Sequence, residues 1–312
     1  MTMAFSSSYS LLRESAAYPV FSNRRWLAYF NFTDCSLFLV NPFSPSPSQE
    51  DIITLPSFKT FKAFIPLEIE DFCRLPDTVP HVVGKIALSS SPTEDDCVVM
   101  LWLGHYLRED FSPDDRRRKH LILSDFAFCR IGDTRWTFLE RGINQQEDDL
   151  PQYTGEIIYC NKDKLFYAYN IDGELEAFDL NNTSSPGDVY DNATWDTDYL
   201  VESPQGDLLK IERYYLCLEK DGSIMESKYA DYLKVRYRTV YFIVYKMDVE
   251  KQMAEDFNLE DMAVFVGKNQ SFCVSVGDYP GLSPNSIYFS DDLSKVMEIY
   301  DCSHGGHAKW HL

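Results

Sequence analysis

Residues 263–292 constrain the fold of this chain more than any other part of its sequence. Three short apolar runs lie within them, at 263–266, 271–276 and 286–289. Glycine, proline, asparagine and aspartate separate these runs, and such residues favour tight turns. Short β-branched and aromatic runs bounded by turn residues are typical of strands. This region therefore predicts three antiparallel strands joined by tight connections.

The same alternation of apolar runs and turn residues recurs along the whole chain. Aromatic residues make up 15% of it, a composition that suits strands better than helices. Five groups of three or four predicted strands, spaced about as propeller blades are, indicate an all-β fold. On this periodicity alone, a β-propeller and a large β-sandwich remain equally compatible with the sequence. The groups lie at 26–55, 85–139, 156–180, 199–247 and 263–300.

A few segments depart from the strand pattern or carry a specific turn signal. Residues 248–257 predict a short helix, and the polar segment 223–236 predicts a loop or short helix. The Asn-, Thr-, Ser- and Asp-rich segment 181–198 predicts a long surface loop. Asp172 and Gly173, between two apolar runs, predict a type I′ hairpin turn because both central residues need positive φ.

Several motifs, in order, resemble one known family. The closing pattern FVG…SFCVS…YPG…NSIYF is similar to the end of a plant F-box-associated β-propeller. This family is a KIB-type, kelch-like propeller, known as a plant domain of unknown function. The resemblance implies a single propeller of about five to six blades over residues 23–302, with a leader or first-strand segment at 1–22 and a C-terminal tail at 303–312. The other motifs are WLAYFNF, CVVMLWLG, FAFCRIGDTRWTFLE, YLVESPQGDLLKIERY and FIVYKMD.

The resemblance also carries an expectation about partners. Family members that act in ubiquitin ligation have an F-box before the propeller, whereas the first recognised motif here begins at Trp26. We therefore expect the chain to lack direct binding to the Skp-type adaptor. The resemblance implies that the chain corresponds to the substrate-recognition part of such a protein. That part binds a protein partner through its loops.

Charge and composition narrow the classes of partner and compartment. The formal net charge is −20, from 49 acidic and 29 basic residues, which disfavours nucleic acid and anionic membranes as partners. No apolar run approaches the roughly 18 to 20 residues of a membrane span. The eight dispersed cysteines predict reduced, buried thiols in an intracellular protein of the cytoplasm or nucleus. The Ser- and Arg-rich first 25 residues leave organellar targeting open.

Three kinds of cluster resemble functional sites, and for each the simpler interpretation prevails. The tail from Cys302 to His311 has metal-ligand side chains, but the pair Gly305–Gly306 favours a flexible segment without a metal. The basic run 116–119 follows two aspartates and favours a solvated loop rather than a nuclear-import signal. The acidic clusters lack the defined separation in a cleft that catalytic carboxylates need. They lie at 94–96, 147–149 and 291–292.

The sequence thus predicts no catalytic residue, no cofactor-binding residue and no metal ligand, since it has no common catalytic or nucleotide-binding motif. The leading hypothesis is a non-catalytic protein-recognition propeller. A propeller enzyme acting on a glycan, with carboxylates in its central channel, is the second. The third is a truncated family member without an independent function.

Overall fold

The structure is a computed structural model of the 312-residue chain, and it describes thirteen segments of it. Within them the regular elements are strands and two short 3₁₀ turns, Phe58–Thr60 and Val276–Asp278. The all-β prediction is confirmed. In these segments no helix is long and apolar enough to cross a membrane. The segments are 17–43, 52–60, 83–94, 96–103, 125–139, 153–170, 175–180, 187–189, 197–218, 236–251, 253–267, 269–290 and 297–302.

The described strands form five four-stranded sheets, which we number in chain order. The first sheet contains β1 (Ala17–Asn23), β2 (Trp26–Asn31), β3 (Ser36–Val40) and β4 (Ile52–Ser57). The second contains β5 (Val83–Leu88), β6 (Val98–Leu103), β7 (Asp125–Arg130) and β8 (Thr137–Phe138). The third contains β9 (Tyr153–Cys160), β10 (Leu165–Asn170), β11 (Leu175–Phe178) and β12 (Gly187–Val189). The fourth contains β13 (Thr197–Glu202), β14 (Leu208–Leu218), β15 (Arg236–Asp248) and β16 (Met253–Asp256). The fifth contains β17 (Met262–Val266), β18 (Phe272–Ser275), β19 (Ser286–Ser290) and β20 (Met297–Asp301).

The chain divides into two compact units, Met1–Ile157 and Ile158–Leu312. In the first unit, alternate residues of β2 point into the core because side chains in a strand alternate between its faces. Trp26, Ala28 and Phe30 are therefore buried. The ring of Phe58 stacks on that of Trp136, whose indole N–H donates a hydrogen bond to the Pro56 carbonyl at 2.7 Å.

The second unit has two apolar clusters, one on each face of the fourth sheet. Leu200 and Leu208 pack on one face with residues of the third sheet such as Tyr169. On the opposite face, residues such as Ile211 and Phe242 pack with residues of the fifth sheet. Burial of both faces explains why buried apolar residues stand side by side in these strands, as at Leu200–Val201 and Leu208–Leu209.

The pairing in the fifth sheet corrects the prediction that its strands are all antiparallel. β17 pairs antiparallel with β18 but parallel with β19. The next strand in sequence, β18, occupies one edge of β17, so β19 pairs at the other edge. β18 ends beside the start of β17, at Met262↔Ser275, and the connection 276–285 crosses to the other edge at that same end, so β19 runs parallel to β17.

Two predictions about irregular segments are also wrong. The helix predicted at 248–257 is absent: β15 continues to Asp248, and β16 pairs with it from Asp248↔Met253 to Tyr245↔Asp256. Tertiary pairing overrides a weak local helix preference here. The loop predicted at 181–198 contains β12, which pairs with β11, and the first residues of β13.

Other sequence predictions meet the described residues only in part. The segment 1–22 contains most of β1, which pairs with β2. The turn at Asp172 and Gly173 and the segment 223–235 lie outside the described residues.

The prediction that the cysteines are reduced is wrong for Cys35, which is buried and disulfide-bonded. Sequence spacing gave no sign of this bond because pairing depends on distance in the fold. The cysteines with free thiols in the described part are Cys97, Cys129, Cys160, Cys273 and Cys302.

Candidate functional site

A cluster of buried charges lies on the fourth sheet. Lys210 on β14 is fully buried, and its ammonium lies 2.9 Å from Glu212 Oε1 and 3.5 Å from Asp198 Oδ2. Asp198 and Glu212 are direct partners across β13 and β14, so their side chains share one face of the sheet. The Lys210 ammonium also lies 4.9 Å from the centre of the Tyr169 ring.

The electrostatics of this cluster keep Lys210 charged. Burial by itself lowers the pKa of a lysine, but Tyr169, Asp198 and Glu212 together raise the pKa of Lys210 above its ordinary value. Tyr214 donates a hydrogen bond to Glu212 Oε2 at 2.7 Å. The carboxylates are thus held by internal partners, which is the arrangement of a structural ion cluster.

The first unit holds a second buried ion pair, between Lys85 on β5 and Glu156 on β9. Both side chains are nearly inaccessible to solvent.

The candidate functional site is instead an open groove of about 900 Å³ beside the fourth sheet, which we call the β15 groove. Five consecutive residues of β15, from Tyr241 to Tyr245, form its floor. Consecutive side chains of a strand point to opposite faces. All five can line one groove only if it runs along the edge of the strand.

Two other segments form the walls of the groove. One is the chain directly after β16, from Phe257 to Leu259, which follows Asp256. The other wall comes from the fifth sheet. Its lining residues are Asn285, Tyr300 and Cys302. The backbone N–H of Cys302 donates a hydrogen bond to the Asn285 carbonyl at 2.9 Å, which fixes this wall.

The chemistry of the groove is aromatic with a single carboxylate among the residues described as lining it. Asp256 is exposed and carries that carboxylate. Burial raises the pKa of the Cys302 thiol to about 12, so it is neutral and a poor nucleophile at physiological pH. An arrangement of this kind can hold a ligand but offers no activated nucleophile among these groups.

Tyr300 is the buried polar residue of the wall. Its side chain is 1% exposed, and its ring packs edge-to-face on Phe242 at 5.3 Å. Burial raises the pKa of Tyr300, whereas the nearby Phe242 backbone lowers this pKa by a smaller amount. The hydroxyl lies near that backbone without making a hydrogen bond to any described residue.

The order of motifs and the sheet architecture point to one family. A family model described as the KIB1-4 β-propeller matches residues 6–305. The chain belongs to the KIB1-4 β-propeller family. The KIB-type propeller inferred from the sequence is thus confirmed, and the sandwich alternative falls away.

Solved structures resemble this KIB1-4 propeller at low identity. Dipeptidyl peptidase 4 of Porphyromonas gingivalis matches at 7% identity and a TM-score of 0.37, over 91% of this chain and 36% of that one. The β-propeller domain of Myceliophteria thermophila Cps50 (Swd1) matches at 12% identity and a TM-score of 0.36, over 95% and 86% of the two chains. The KIB1-4 propeller therefore spans about a third of the length of the peptidase. No curated protein matches it.

Most clusters singled out in the sequence lie outside the described part of the KIB1-4 propeller. This holds for the tail from residue 303, the basic run 116–119, and the acidic clusters 147–149 and 291–292. Glu94 and Asp96 are described and exposed. Among the described residues, no group of three or more His, Cys, Asp or Glu could hold a metal.

Sequence reasoning missed the β15 groove. The signal was present, because the run FIVY at 242–245 begins the FIVYKMD motif, which carries the family resemblance. That run predicted only a core strand. Its place along a groove depends on where β16 ends, which is opposite Tyr245.

Proposed function

We propose that this KIB1-4 propeller is a non-catalytic protein-recognition domain whose β15 groove receives its partner. The observation that carries the proposal is the groove itself, whose floor is formed by five consecutive residues, Tyr241 to Tyr245. Aromatic residues are enriched in the central parts of protein interfaces, where they contribute much of the binding energy. An open, aromatic groove along a strand suits a protein segment.

The placement of the buried charges supports a non-catalytic role. Asp198 and Glu212 share the ammonium of Lys210, and Glu156 pairs with Lys85. Carboxylates held in this way stabilise the sheets and are shielded from a substrate. The resemblance to the substrate-binding part of plant F-box proteins supports the same role.

An enzyme acting on a glycan remains the second candidate class. Such an enzyme needs two carboxyl groups at a defined separation in a cleft. The described lining of the β15 groove offers Asp256 alone. This favours recognition over glycan hydrolysis as the function of the groove.

The test is affinity capture with a matched pair of charge reversals. The 312-residue chain, Asp256→Lys and Asp278→Lys would be immobilised and exposed to a plant extract. Asp278 is an exposed residue of the same unit, is not among the groove-lining residues, and serves as the control. A captured protein would then be purified, and its affinity for each variant measured by calorimetry.

We expect saturable binding that Asp256→Lys weakens at least tenfold and that Asp278→Lys leaves unchanged. Equal affinity for all three chains would overturn the assignment to the groove. Turnover of a glycan, abolished by Asp256→Asn, would overturn the non-catalytic role.

A further inference from the structure

We propose that one face of the fifth sheet docks an amphipathic helix of a partner protein, with lysine or arginine flanking the apolar stripe of that helix. This face, which we call the Phe272 face, points away from the fourth sheet. The opposite face contains Tyr300 and packs with the fourth sheet. The Phe272 face is therefore separate from the β15 groove, and the proposal goes beyond the function proposed for that groove. Its apolar side chains are Phe265, Phe272, Tyr288, Met297 and Ile299.

The strand registers place these side chains in one row across the sheet. Phe265 pairs with Phe272 on one side and with Tyr288 on the other. Tyr288 in turn pairs with Ile299. Directly paired residues share one face of a sheet. Met297 lies two residues before Ile299 and shares the face because side chains alternate along a strand.

Apolar side chains at both ends of this row are exposed. Phe272 on β18 is 46% exposed, and Ile299 and Met297 on β20 are 43% and 60% exposed. Apolar residues scattered singly over a surface are ordinary, whereas a contiguous exposed apolar patch marks an interaction site. The row joins these three side chains into one such patch.

The rings between the two ends are held in place before any partner binds. The Phe265 ring stacks on those of Phe272 and Tyr288, with a distance of 4.7 Å between ring centres in both pairs. The Tyr288 hydroxyl accepts a hydrogen bond from the backbone N–H of Ser283 at 2.8 Å. A preformed surface loses little conformational freedom on binding, which favours affinity.

The backbone of the sheet decides which secondary structure a partner can present to this face. β17 is paired on both edges, with β18 and β19, and β19 is paired on both edges, with β17 and β20. At the centre of the Phe272 face a partner therefore meets side chains. Backbone polar groups that a partner buries against them must be paired within the partner itself, as they are in an α-helix. An extended segment would bury unpaired backbone groups.

The length of the row suits such a helix. The row crosses the four strands of the sheet, which at about 4.8 Å between neighbouring strands is about 14 Å. Apolar residues at positions i, i+4 and i+8 of a helix span about 12 Å. About two to three turns of helix would therefore cover the row.

Charge decides between the possible occupants. Every charged side chain described between residues 253 and 302 is acidic. One of them, Asp301, lies on the Phe272 face two residues after Ile299. Such a field attracts lysine and arginine and repels nucleic acid and anionic lipid. A second copy of the chain binding through the same face would oppose acidic residues to acidic residues, so a basic partner fits better.

The probe is a fluorescently labelled peptide of leucine and lysine, about 18 residues long so that it can form a helix, with its leucines on one helical face. The full chain is titrated into the peptide, and binding is followed by anisotropy. One matched peptide has glutamate in place of lysine. Another has the same composition in an order that spreads the leucines around the helix. We expect saturable binding of the probe and affinities at least about tenfold weaker for both matched peptides.

Variants of the chain test the apolar row. Phe272→Thr combined with Ile299→Thr should weaken the probe at least about tenfold, because two apolar contacts are lost while threonine retains strand propensity. Met253→Thr should leave its affinity unchanged, since Met253 is a 52% exposed apolar residue on β16 of the fourth sheet. Met297→Lys, at the most exposed position of the row, should weaken the probe about threefold or more. This variant serves if circular dichroism shows that the double variant is unfolded.

A photo-crosslinking group at a central leucine of the probe locates the bound peptide. Mass spectrometry should find crosslinks to Phe272, Met297 or Ile299, and crosslinks confined to other sheets would overturn the proposal. Absence of saturable binding, or equal affinity of the probe for the double variant and the unsubstituted chain, would overturn it as well. Equal binding of the leucine-spread peptide would reduce the interaction to charge attraction and exclude a helical stripe.

The same double variant separates this proposal from the proposed function. A protein captured through the β15 groove should bind Phe272→Thr with Ile299→Thr as tightly as it binds the unsubstituted chain. A parallel loss of both affinities would contradict the separation of the two surfaces.

Discussion

Gly84 lies directly against the indole ring of Trp102. A Cβ atom at Gly84 would overlap the six-membered part of that ring. The registers Val83↔Leu103 and Lys85↔Trp102 leave Gly84 as an extra residue in β5. It forms a β-bulge in which glycine permits close approach of the tryptophan.

Gly84→Ala is therefore expected to destabilise the chain by about 1–3 kcal/mol, because the added methyl must displace Trp102 or the strand. Chemical unfolding followed by circular dichroism measures this change. Gly277→Ala is the control, since the nearest described atom to its Cβ, Ser275 Oγ, lies 3.8 Å away. Equal stability of the two variants would contradict the prediction, and Trp102→Val should restore part of the loss in Gly84→Ala.

Lys210→Met is expected to lower the free energy of unfolding by about 3–5 kcal/mol, because two buried carboxylates lose their counter-charge. Adding Asp198→Asn and Glu212→Gln to this variant should recover part of the loss. Lys251→Met provides the comparison, since Lys251 is 70% exposed and pairs with Asp248 at the surface. Its thermal midpoint should match the unsubstituted chain. A Lys210→Met variant with unchanged stability would contradict the buried ion cluster.

The hydroxyls of Tyr300 and Tyr167 predict opposite effects of the same substitution. Tyr300→Phe removes a buried hydroxyl that makes no hydrogen bond to a described residue, so stability should stay equal or rise. Tyr167→Phe removes a hydrogen bond to Asp163 Oδ2 of 2.9 Å and should cost about 1–2 kcal/mol. Denaturant unfolding of both variants decides the point, and a loss in Tyr300→Phe as large as that in Tyr167→Phe would be the contrary result.

The free thiols predict a pH dependence at the alkaline end. Burial raises the pKa of Cys160, Cys273 and Cys302 from 9.0 to about 12. Folding thus favours the neutral thiol. Its contribution to stability is complete below pH 9 and is lost as pH rises towards 12, because the unfolded thiol ionises first.

Iodoacetamide labelling at pH 8, read by mass spectrometry, tests these thiols. The three cysteines should react slowly in the native chain and rapidly in urea. Cys35 should stay unlabelled in urea until a reductant is added, because it is disulfide-bonded. Rapid native labelling of Cys302, or labelling of Cys35 without reductant, would contradict the structure.

Local sequence was sufficient to predict most strands. The apolar and aromatic runs of β2, β6, β14 and β17 are readable in the residues themselves, whereas the alternating burial within β2 appears only in the structure. Turn residues marked the ends of many runs because glycine, proline and asparagine act on the backbone locally. Periodicity alone could not distinguish a propeller from a sandwich. The order of the motifs made that distinction, because it matched a propeller family.

Tertiary structure decided what depends on distant partners. The segment at Met253–Asp256 became a strand because the end of β15 was available to pair with it. The parallel direction of β19, the disulfide of Cys35 and the burial of Lys210 between Asp198 and Glu212 follow from contacts across the fold.

The sequence by itself therefore determined that the chain forms turn-separated strands of a propeller family, because alternation and turn chemistry are local properties. Only the tertiary structure decided where the groove lies. Its floor is β15 from Tyr241 to Tyr245, next to the end of β16, and its wall includes Tyr300 of another sheet. An edge is open or paired according to where a neighbouring strand ends, and side chains far apart in sequence meet only after the sheets have packed.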